Sequence, residues 1–291
     1  MIIGITGGTG FIGRAVTRAA EAQGDGVILF SRRGGDGRRL FSLAKPPDVS
    51  GCDGLVHLAG ESILGLWTRA KRRRIVESRV EGTRRLVEGI AAAPVKPRVL
   101  VSASAIGYYG DTADRISDED SPAGTGFLAE VAHAWEREAV KAESLGVRVV
   151  RLRIGFVLSG DGGALTLIRP VFRLGFGGRL GSGRQWMSCI GIEDLAAMIL
   201  RCLHDDSLSG PVNAVMPEPV TSGDFTRAMA AAVHRPALFP VPSFALKLLL
   251  GDLSHLLLDS QRVVPGRLLK AGFSYRFPAV RPALEEMFRT G

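Results

Sequence analysis

Short apolar segments alternate with longer segments of helical periodicity through the first half of the chain. The apolar segments at residues 2–6, 27–31, 55–59, 99–104 and 147–153 have the length and composition of strands. Helical periodicity lies between them, at residues 14–23, 71–92 and 127–144. Strands that are apolar on both faces and alternate with helices are typical of a parallel sheet covered on both sides. The pattern therefore predicts an α/β fold with a doubly wound parallel sheet.

The alternating pattern changes after Arg153. Glycine-rich segments at 159–163 and 175–183 precede a helical segment at 192–204, and scattered prolines then interrupt a less regular region that ends in helices. We predict a first domain at residues 1–157, on which residues 190–210 pack. A smaller C-terminal, substrate-side subdomain is predicted from residues 158–189 and 211–291.

Composition is that of an ordinary globular protein, with 46% hydrophobic and 23% charged residues among 291. The most apolar stretch, residues 244–258, carries Lys247, Asp252 and His255 and is shorter than a membrane span. We therefore predict that this stretch is a core-facing helix and that the protein has no membrane partner.

The cysteines, Cys52, Cys189 and Cys202, are too few and too scattered for a disulfide framework. The first apolar run leads straight into a glycine-rich turn, without the cleavage site of a signal peptide. Both features predict a cytoplasmic protein.

A formal net charge of +8 is compatible with an anionic partner. The densest basic run, residues 69–74, is followed by Ile75, Val76 and Val80, a pattern typical of an amphipathic helix with a solvated basic face. Contact of this run with a phosphate or with a nucleic acid is the alternative. No helix-turn-helix, zinc-finger or RNA-binding motif accompanies the charge, so we predict a small-molecule ligand, no nucleic-acid partner and no metal site.

The clearest motif, TGGTGFIG at residues 6–13, follows the first predicted strand and opens the first predicted helix. Glycine permits the tight turn and lets the backbone approach a pyrophosphate, which the free N–H groups of the helix N-terminus can bind. A turn that merely packs the helix on the sheet is the alternative. The motif predicts a Rossmann-type dinucleotide site with these contact residues: Gly7, Gly10, Phe11, Ile12 and Gly13.

The end of the second strand indicates which dinucleotide binds. An NAD site normally ends this strand with an acid that accepts hydrogen bonds from the ribose 2′-hydroxyl, whereas here Ser31, Arg32 and Arg33 follow one another. A guanidinium can bind a 2′-phosphate through paired, charge-assisted hydrogen bonds. We predict NADP(H) as the cofactor, with Asp36 as the nearby acid that would allow NAD instead.

Motifs spread over nearly the whole chain resemble those of the extended short-chain dehydrogenases/reductases, which include the NAD-dependent epimerases and dehydratases of nucleotide sugars. They are TGGTGFIG at 6–13, DGLVHLAGE at 53–61, SASAIGYYG at 102–110 and RLRIG at 151–155. Two later segments resemble the corresponding segments of an atypical branch, the epimerase-family or SulA-like cell-division-inhibitor proteins. These segments are GRQWMSCIGIEDL at 183–195 and GPVNA at 210–214.

The resemblance implies further cofactor-binding residues at the ends of the third and fifth strands: Leu58, Ala59, Gly60, Glu61 and Arg153. Pairing of Arg153 with a carboxylate is the alternative. His57 lies inside the third strand, and we interpret it as a core residue with satisfied hydrogen bonds.

The resemblance also implies a catalytic serine and a Tyr-x-x-x-Lys pair, in which the lysine and the cofactor lower the pKa of the tyrosine. Ser104 matches the serine, but residues 127–132 read FLAEVA where the pair should lie. Groups near the same pocket that could replace it are Ser104, Tyr108, Tyr109 and Glu61. We predict Tyr108 or Tyr109 as proton donor, with Ser104 positioning the substrate. A purely aromatic wall beside the nicotinamide is the alternative.

On the substrate side, Arg184, Gln185 and Trp186 follow a glycine-rich turn where related epimerases hold the diphosphate of a sugar nucleotide. An arginine and an aromatic ring would suit an anionic or nucleotide-linked ligand. Packing of the loop by Trp186 is the alternative. Cys189 has no histidine neighbour in sequence and is predicted to be a buried thiol rather than a nucleophile.

These features predict an NADP(H)-binding protein with an atypical active site, either an oxidoreductase or a nucleotide-sugar-epimerase-like enzyme. The alternative is a non-catalytic protein whose conformation or partner affinity follows the redox state of NADP(H). A homodimer formed through two helices of the Rossmann domain, common in related proteins, is compatible with the sequence.

Overall fold

The parallel sheet that the alternating pattern predicts is present in the computed structural model, which describes residues 1–289. The strands are β1 Ile2–Thr6, β2 Gly26–Ser31, β3 Arg39–Leu40, β4 Gly54–His57, β5 Val99–Ala105, β6 Ile116–Ser117, β7 Arg148–Ile154, β8 Phe156–Leu158, β9 Trp186–Met187, β10 Cys189–Gly191, β11 Gly210–Ala214, β12 Val220–Thr221 and β13 Arg262–Val263. The helices are α1 Phe11–Ala22, α2 Arg69–Ala92, α3 Phe127–Val140, α4 Leu165–Arg173, α5 Ile192–His204, α6 Ser222–Ala232, α7 Ser243–Leu250, α8 His255–Leu258, α9 Gly266–Lys270 and α10 Val280–Arg289. Short 3-10 turns occupy Ile106–Tyr109, Lys141–Leu145 and Gly251–Ser254.

The main sheet has seven strands in the order β3-β2-β1-β4-β5-β7-β11, and its neighbouring strands are all parallel. The chain runs outward from β1 in one direction through β2 and β3, and in the other through β4 and β5. Ligands of such sheets bind outside the carboxyl ends of the strands, where this reversal opens a crevice. A cofactor is therefore expected at the carboxyl ends of β1 and β4.

Helices cover both faces of the sheet, as the pattern predicts. Helices α1 and α5 pack together on one face, and α2 and α3 on the other. Because successive side chains of a strand point to opposite faces, Val99 and Val101 of β5 join the core under α1 and α5, whereas Leu100 joins the core under α2. Burying each such side chain contributes about 1.5–3 kcal/mol to stability, which explains why β5 begins with the apolar run Val99–Val101 on both of its faces.

One strand departs from the predicted division of the chain. Residues 210–214 pair with β7 as the edge strand β11 of the main sheet, although the sequence pattern assigns residues from 211 onward to the substrate side. Pro211 is tolerated because an edge strand needs hydrogen bonds on one side only. The division into a cofactor domain and a substrate-side subdomain otherwise stays a prediction.

The apolar stretch at residues 244–258 does not form the predicted core-facing helix. It is divided among α7, a 3-10 turn and α8, and Gly251 at the break has a φ of 54°, a conformation that glycine adopts without strain. In α7 the side chain of Leu246 is buried, whereas Phe244, Leu248 and Leu249 are exposed. No helix within residues 1–289 is long and apolar enough to cross a membrane.

Candidate functional site

The glycine loop joins β1 to α1 at the carboxyl end of the sheet. Gly7 has a φ of 72°, and a Cβ there would lie 2.8 Å from the carbonyl carbon of Leu58. At Gly13 a Cβ would lie 2.3 Å from the carbonyl oxygen of Gly7. These two glycines therefore let the loop pack against both its own helix and the segment that follows β4.

Gly10 differs from the other two glycines because a Cβ on its α-carbon would point away from the rest of the protein. A Cβ there would meet only the Gly7 carbonyl oxygen, at 3.0 Å. The first bond of helix α1 runs from the Arg14 N–H to the Gly10 carbonyl, so the N–H groups of Phe11 and Ile12 precede the helical ladder. The loop thus offers an open approach to free N–H groups at a helix N-terminus, an arrangement that suits a pyrophosphate.

The end of β2 carries two exposed arginines beside this loop. Arg32 and Arg33 make no hydrogen bond or ion pair within residues 1–289. Ser31 is half-buried, and its carbonyl accepts a hydrogen bond from the Phe41 N–H at 2.8 Å. Asp36 lies five residues further on, exposed in a turn with a φ of 48°. Two unpaired guanidinium groups at this strand end are suited to a phosphate.

The segment after β4 is held by helix α2. Glu61 donates its N–H to Ser78 Oγ at 2.9 Å, and Arg79 donates to the Glu61 carbonyl at 3.0 Å. The Glu61 carboxylate lies 2.9 Å from Lys71 Nζ and 3.5 Å from Arg74 Nε. The hydrogen bond from Lys71 holds the pKa of the Glu61 carboxyl below its usual range. This carboxylate is therefore already engaged, and contact of residues 58–61 with a cofactor stays a prediction.

His57 is a core residue, as predicted. Its ring is fully buried, with Nδ1 2.7 Å from Thr6 Oγ1 and Nε2 3.0 Å from Thr83 Oγ1. Burial lowers the pKa of His57 to about 3, because an imidazolium without water or a carboxylate partner is costly. The side chain links β1, β4 and α2 and stays neutral in the physiological range.

A buried polar network lies at the carboxyl ends of β5 and β7. Arg153 donates to both oxygens of Glu136, with Nε to Oε1 at 2.8 Å and Nη2 to Oε2 at 3.0 Å. Ser104 Oγ donates to the same Oε1 at 2.8 Å. Arg153 Nη1 donates to the Tyr109 hydroxyl at 2.8 Å, and that hydroxyl donates to Asn213 Oδ1 at 2.7 Å. We call Ser104, Tyr109, Glu136, Arg153 and Asn213 the buried network.

Burial and pairing determine the protonation of this network. Burial alone would lower the pKa of the Arg153 guanidinium, but the hydrogen bonds to Glu136 raise it overall. Burial raises the pKa of Tyr109 to about 12. Of the two alternatives for Arg153, the structure therefore supports pairing with a carboxylate over contact with the cofactor. Tyr109, buried and bonded on both sides of its hydroxyl, is poorly placed to donate a proton to a substrate.

Tyr108 lies at the edge of the buried network but outside it. The Arg153 guanidinium carbon is 3.5 Å from the centroid of the Tyr108 ring, and the Tyr109 ring packs edge-on at 5.4 Å. The Tyr108 side chain is half-buried, and its hydroxyl makes no hydrogen bond within the described part of the chain. The ring is held by cation–π and edge contacts while its hydroxyl stays available.

Helix α3 presents neither a tyrosine nor a lysine where the superfamily pair would lie, and Glu130 is the one ionisable residue among residues 127–132. Phe127 contacts the Trp67 ring at 5.3 Å and the Arg72 guanidinium at 4.1 Å. Leu128 lies against the 3-10 turn of the tyrosine pair, where a Cβ on Gly107 would be 3.3 Å away. His133, one turn along α3, has its ring 6.2 Å from that of Tyr108. The two residues are 25 positions apart, so no local sequence pattern indicates that they are neighbours.

The predicted substrate residues separate into two groups. Gln185 is buried and donates to the carbonyls of Leu180 at 3.1 Å and Leu257 at 3.0 Å, so its amide holds loops together. Trp186 donates to Asp114 at 2.9 Å, and its ring lies under the Arg262 guanidinium at 4.1 Å. These contacts support the loop-packing alternative for Trp186, and Gln185 has a packing role that the sequence did not predict.

Arg184 is exposed, and its guanidinium makes no contact that the structure describes in residues 1–289. Cys189 is buried, as predicted, and burial raises the pKa of its thiol to about 12, so the thiol is poorly suited to act as a nucleophile. Arg184 is therefore the predicted substrate residue whose side chain remains available to a ligand.

Comparison with known proteins agrees with this geometry. The sequence profile of the NAD dependent epimerase/dehydratase family matches residues 3–214, and a domain of unknown function, DUF1731, matches residues 241–287. The epimerase family protein YfhF of Bacillus subtilis is 36% identical, over 99% of this chain and 98% of that protein. A chloroplastic epimerase family protein SDR39U1 homolog of Arabidopsis thaliana is 37% identical, over 99% of this chain and 87% of that protein.

Among solved structures, the human epimerase family protein SDR39U1, determined with NADPH, superposes with a TM-score of 0.92. It is 34% identical, and the alignment covers 99% of each chain. The family match covers the parallel sheet from Ile3 of β1 to the end of β11, and the Bacillus subtilis and Arabidopsis thaliana relatives each align with 99% of this chain. The chain therefore belongs to the NAD dependent epimerase/dehydratase family, in its branch of epimerase family proteins.

Proposed function

We propose that this protein binds NADP(H) and acts as an oxidoreductase or epimerase-like enzyme on a small anionic or nucleotide-linked substrate. One observation carries the proposal: the glycine loop is open at Gly10, and two guanidinium groups without a partner, those of Arg32 and Arg33, lie at the end of the adjacent strand. The structure solved with NADPH for the human relative supports the same cofactor.

The residues present fit this cofactor. A side chain at Gly10 would project into the open space before helix α1, so glycine keeps that space free for a pyrophosphate. The N–H groups at the start of α1 would bind the pyrophosphate oxygens, and Arg32 with Arg33 the 2′-phosphate. When bound, the nicotinamide ring donates or accepts a hydride.

The proton that accompanies hydride transfer would come from Tyr108. Its hydroxyl is uncommitted, whereas the hydroxyls of Tyr109 and Ser104 are used inside the buried network. The Arg153 guanidinium over the ring, fixed in turn by Glu136, holds Tyr108 in one orientation. A positioned donor of this kind contributes typically 10² to 10⁴ to a rate. The role of Ser104 in positioning the substrate remains part of the proposal and would require its bond to Glu136 to exchange.

Arg32→Ala should weaken NADPH binding by roughly ten- to a hundredfold, because one charge-assisted pair of hydrogen bonds is worth about 1.5–3 kcal/mol. NADH binding should be unchanged, since NADH has no 2′-phosphate. Fluorescence titration of both cofactors against wild type and Arg32→Ala measures the difference. Arg281→Ala, which removes an exposed arginine of α10 paired with Glu285, is the matched control. Equal affinities of the wild type for NADPH and NADH would contradict the assignment.

Tyr108→Phe should lower turnover by roughly 10² to 10⁴ while leaving stability and NADPH binding intact. Tyr109→Phe should do the opposite: it removes the buried hydrogen bonds that join the Tyr109 hydroxyl to Arg153 Nη1 and to Asn213 Oδ1 and should cost about 1–3 kcal/mol of stability, with turnover largely kept. NADPH oxidation would be followed with a panel of aldehydes, ketones and UDP-sugars. Full turnover in Tyr108→Phe would reject this donor.

One observation favours a second function. The Ser104 hydroxyl donates a hydrogen bond to Glu136. Helix α3 contains neither a tyrosine nor a lysine, so part of the superfamily's catalytic apparatus is absent. A protein that senses the redox state of NADP(H) needs the cofactor site but not that apparatus. Tight NADPH binding without turnover on any member of the panel, together with different proteolysis patterns in NADPH and NADP⁺, would favour the sensor.

A further inference from the structure

Half of the large apolar side chains that are exposed within residues 1–289 lie in two short segments, 165–184 and 235–250. We call these segments the basic apolar surface. Nine of the 18 exposed side chains belong to it: Leu167, Val171, Leu174, Phe176, Leu238, Phe239, Phe244, Leu248 and Leu249. All three exposed phenylalanines of the described chain are among them. Contiguous exposed apolar surface of this kind marks an interaction site.

Backbone contacts join the two segments into one surface. Phe239 N–H donates to the Gly177 carbonyl at 3.2 Å, and Val241 N–H donates to the Arg179 carbonyl at 2.8 Å. The rings of Phe176 and Phe239 lie with centroids 5.8 Å apart. The two segments therefore meet in space through residues 176–179 and 239–241.

The helices of this surface turn apolar faces outward. In α4 and the turn that follows it, Leu167, Val171 and Leu174 are spaced i, i+4 and i+7 and are all exposed. In α7, Phe244 and Leu248 share the outer face, and Leu246 on the opposite side is the buried anchor. A surface helix normally directs its apolar stripe to the core, so these two stripes are suited to a partner.

Charge on this surface is of one sign. Its 36 residues include six cations and no aspartate or glutamate, although the chain has 29 acidic residues in all. Exposed cations of the surface are Arg173, Arg179, Arg235 and Lys247, together with Arg184, which the proposed function assigns to the substrate. The sixth cation, Arg169, is half-buried with its guanidinium over the Phe288 ring. The acid that next follows α7, Asp252, is paired with Arg72 at 2.5 Å. The partner must therefore combine an apolar region with negative charge.

We propose that the basic apolar surface docks on an anionic lipid bilayer, lying on the bilayer without crossing it. Protruding leucine and phenylalanine side chains would enter the boundary between headgroups and acyl chains, while arginine and lysine side chains contact lipid phosphates. A second copy of the chain fits less well, because a twofold interface would bring two surfaces of the same positive charge together. The inference departs from the sequence prediction of no membrane partner, which rested on the lack of a spanning segment.

The test compares binding to vesicles of phosphatidylcholine with phosphatidylglycerol and to vesicles of phosphatidylcholine alone. Wild-type protein should cosediment with the anionic vesicles only. Binding should fall when ionic strength rises from about 0.1 M to about 1 M, because the Debye length shortens from about 10 Å to about 3 Å.

Lys247→Gln/Leu248→Ser tests the surface itself. Leu248 is 84% exposed, so the protein should stay folded and keep NADPH affinity. Vesicle partitioning should weaken roughly fiftyfold, about fivefold from the lost cation and about tenfold from the lost leucine. The matched control is Val95→Ser/Lys96→Gln, a neighbouring pair before β5 in which Val95 is 79% exposed; it should bind vesicles like wild type.

Three results would overturn the proposal. One is wild-type protein that does not bind anionic vesicles. Another is equal loss of binding in the two double variants, which would mean that net charge alone drives association. The third is a dimer, seen by sedimentation velocity, that Lys247→Gln/Leu248→Ser dissociates, because the surface would then be an interface between two copies.

Discussion

Gly10→Val is expected to abolish NADPH binding, by at least about a hundredfold, while the protein remains folded. Gly10 has a φ of −75° and a ψ of 174°, an extended conformation open to any residue. A Cβ would meet only the Gly7 carbonyl oxygen, at 3.0 Å, and the rest of the valine side chain would fill the space before α1. Circular dichroism and fluorescence titration with NADPH separate folding from binding.

Two other glycines serve as controls. Gly13→Val should disrupt folding itself, because its Cβ would lie 2.3 Å from a backbone oxygen. Gly26→Val, at the start of β2, should leave both folding and binding unchanged, since the nearest atom is 3.6 Å from its Cβ. A folded Gly10→Val protein with unchanged NADPH affinity would mean that the cofactor binds elsewhere.

Glu136→Gln should lower the free energy of unfolding by about 3–5 kcal/mol, because it leaves the Arg153 guanidinium buried without a counter-charge. Both side chains are almost fully buried, at 3% and 2% exposure. Such a loss is a large part of the 5–15 kcal/mol that usually stabilises a domain. Urea unfolding monitored by tryptophan fluorescence measures it.

Glu138→Gln, two residues along the same helix, is the matched control. Glu138 pairs with Arg84 and Lys141, whose side chains are 44% and 56% exposed and can return to water when the carboxylate is removed. The cost should therefore stay below about 1 kcal/mol. Equal losses for the two variants would show that the buried network does not depend on a charged Glu136.

The cofactor end of the molecule could be predicted from the sequence because its determinants are local. Each of the five predicted strands lies within two residues of its position in the structure. The glycine spacing, the basic end of β2 and the missing tyrosine and lysine of α3 each depend on residues close together in the chain. Local periodicity and turn chemistry are sufficient for such features.

The side chains of the proposed active site could not be assigned in the same way. Tyr108 and Tyr109 are adjacent and chemically identical, yet one hydroxyl is enclosed between Arg153 and Asn213 and the other makes no hydrogen bond in the described structure. Glu136, which the sequence does not single out, fixes Ser104 and Arg153 together. These partners come from β5, α3, β7 and β11, and only the assembled sheet brings them within hydrogen-bond distance.

The sequence by itself determined the alternation of strands and helices, the glycine loop and the excess of positive charge. Only the tertiary structure decided that β11 belongs to the main sheet and that α7 exposes its apolar face. The physical reason is common to both. The hydrophobicity of a side chain shows only that its burial would be favourable in free energy. Whether a neighbouring element covers that side chain depends on how distant parts of the chain meet. Residues 244–258 are apolar enough for a core, but within the fold Leu246 is the large apolar side chain of α7 that the core receives.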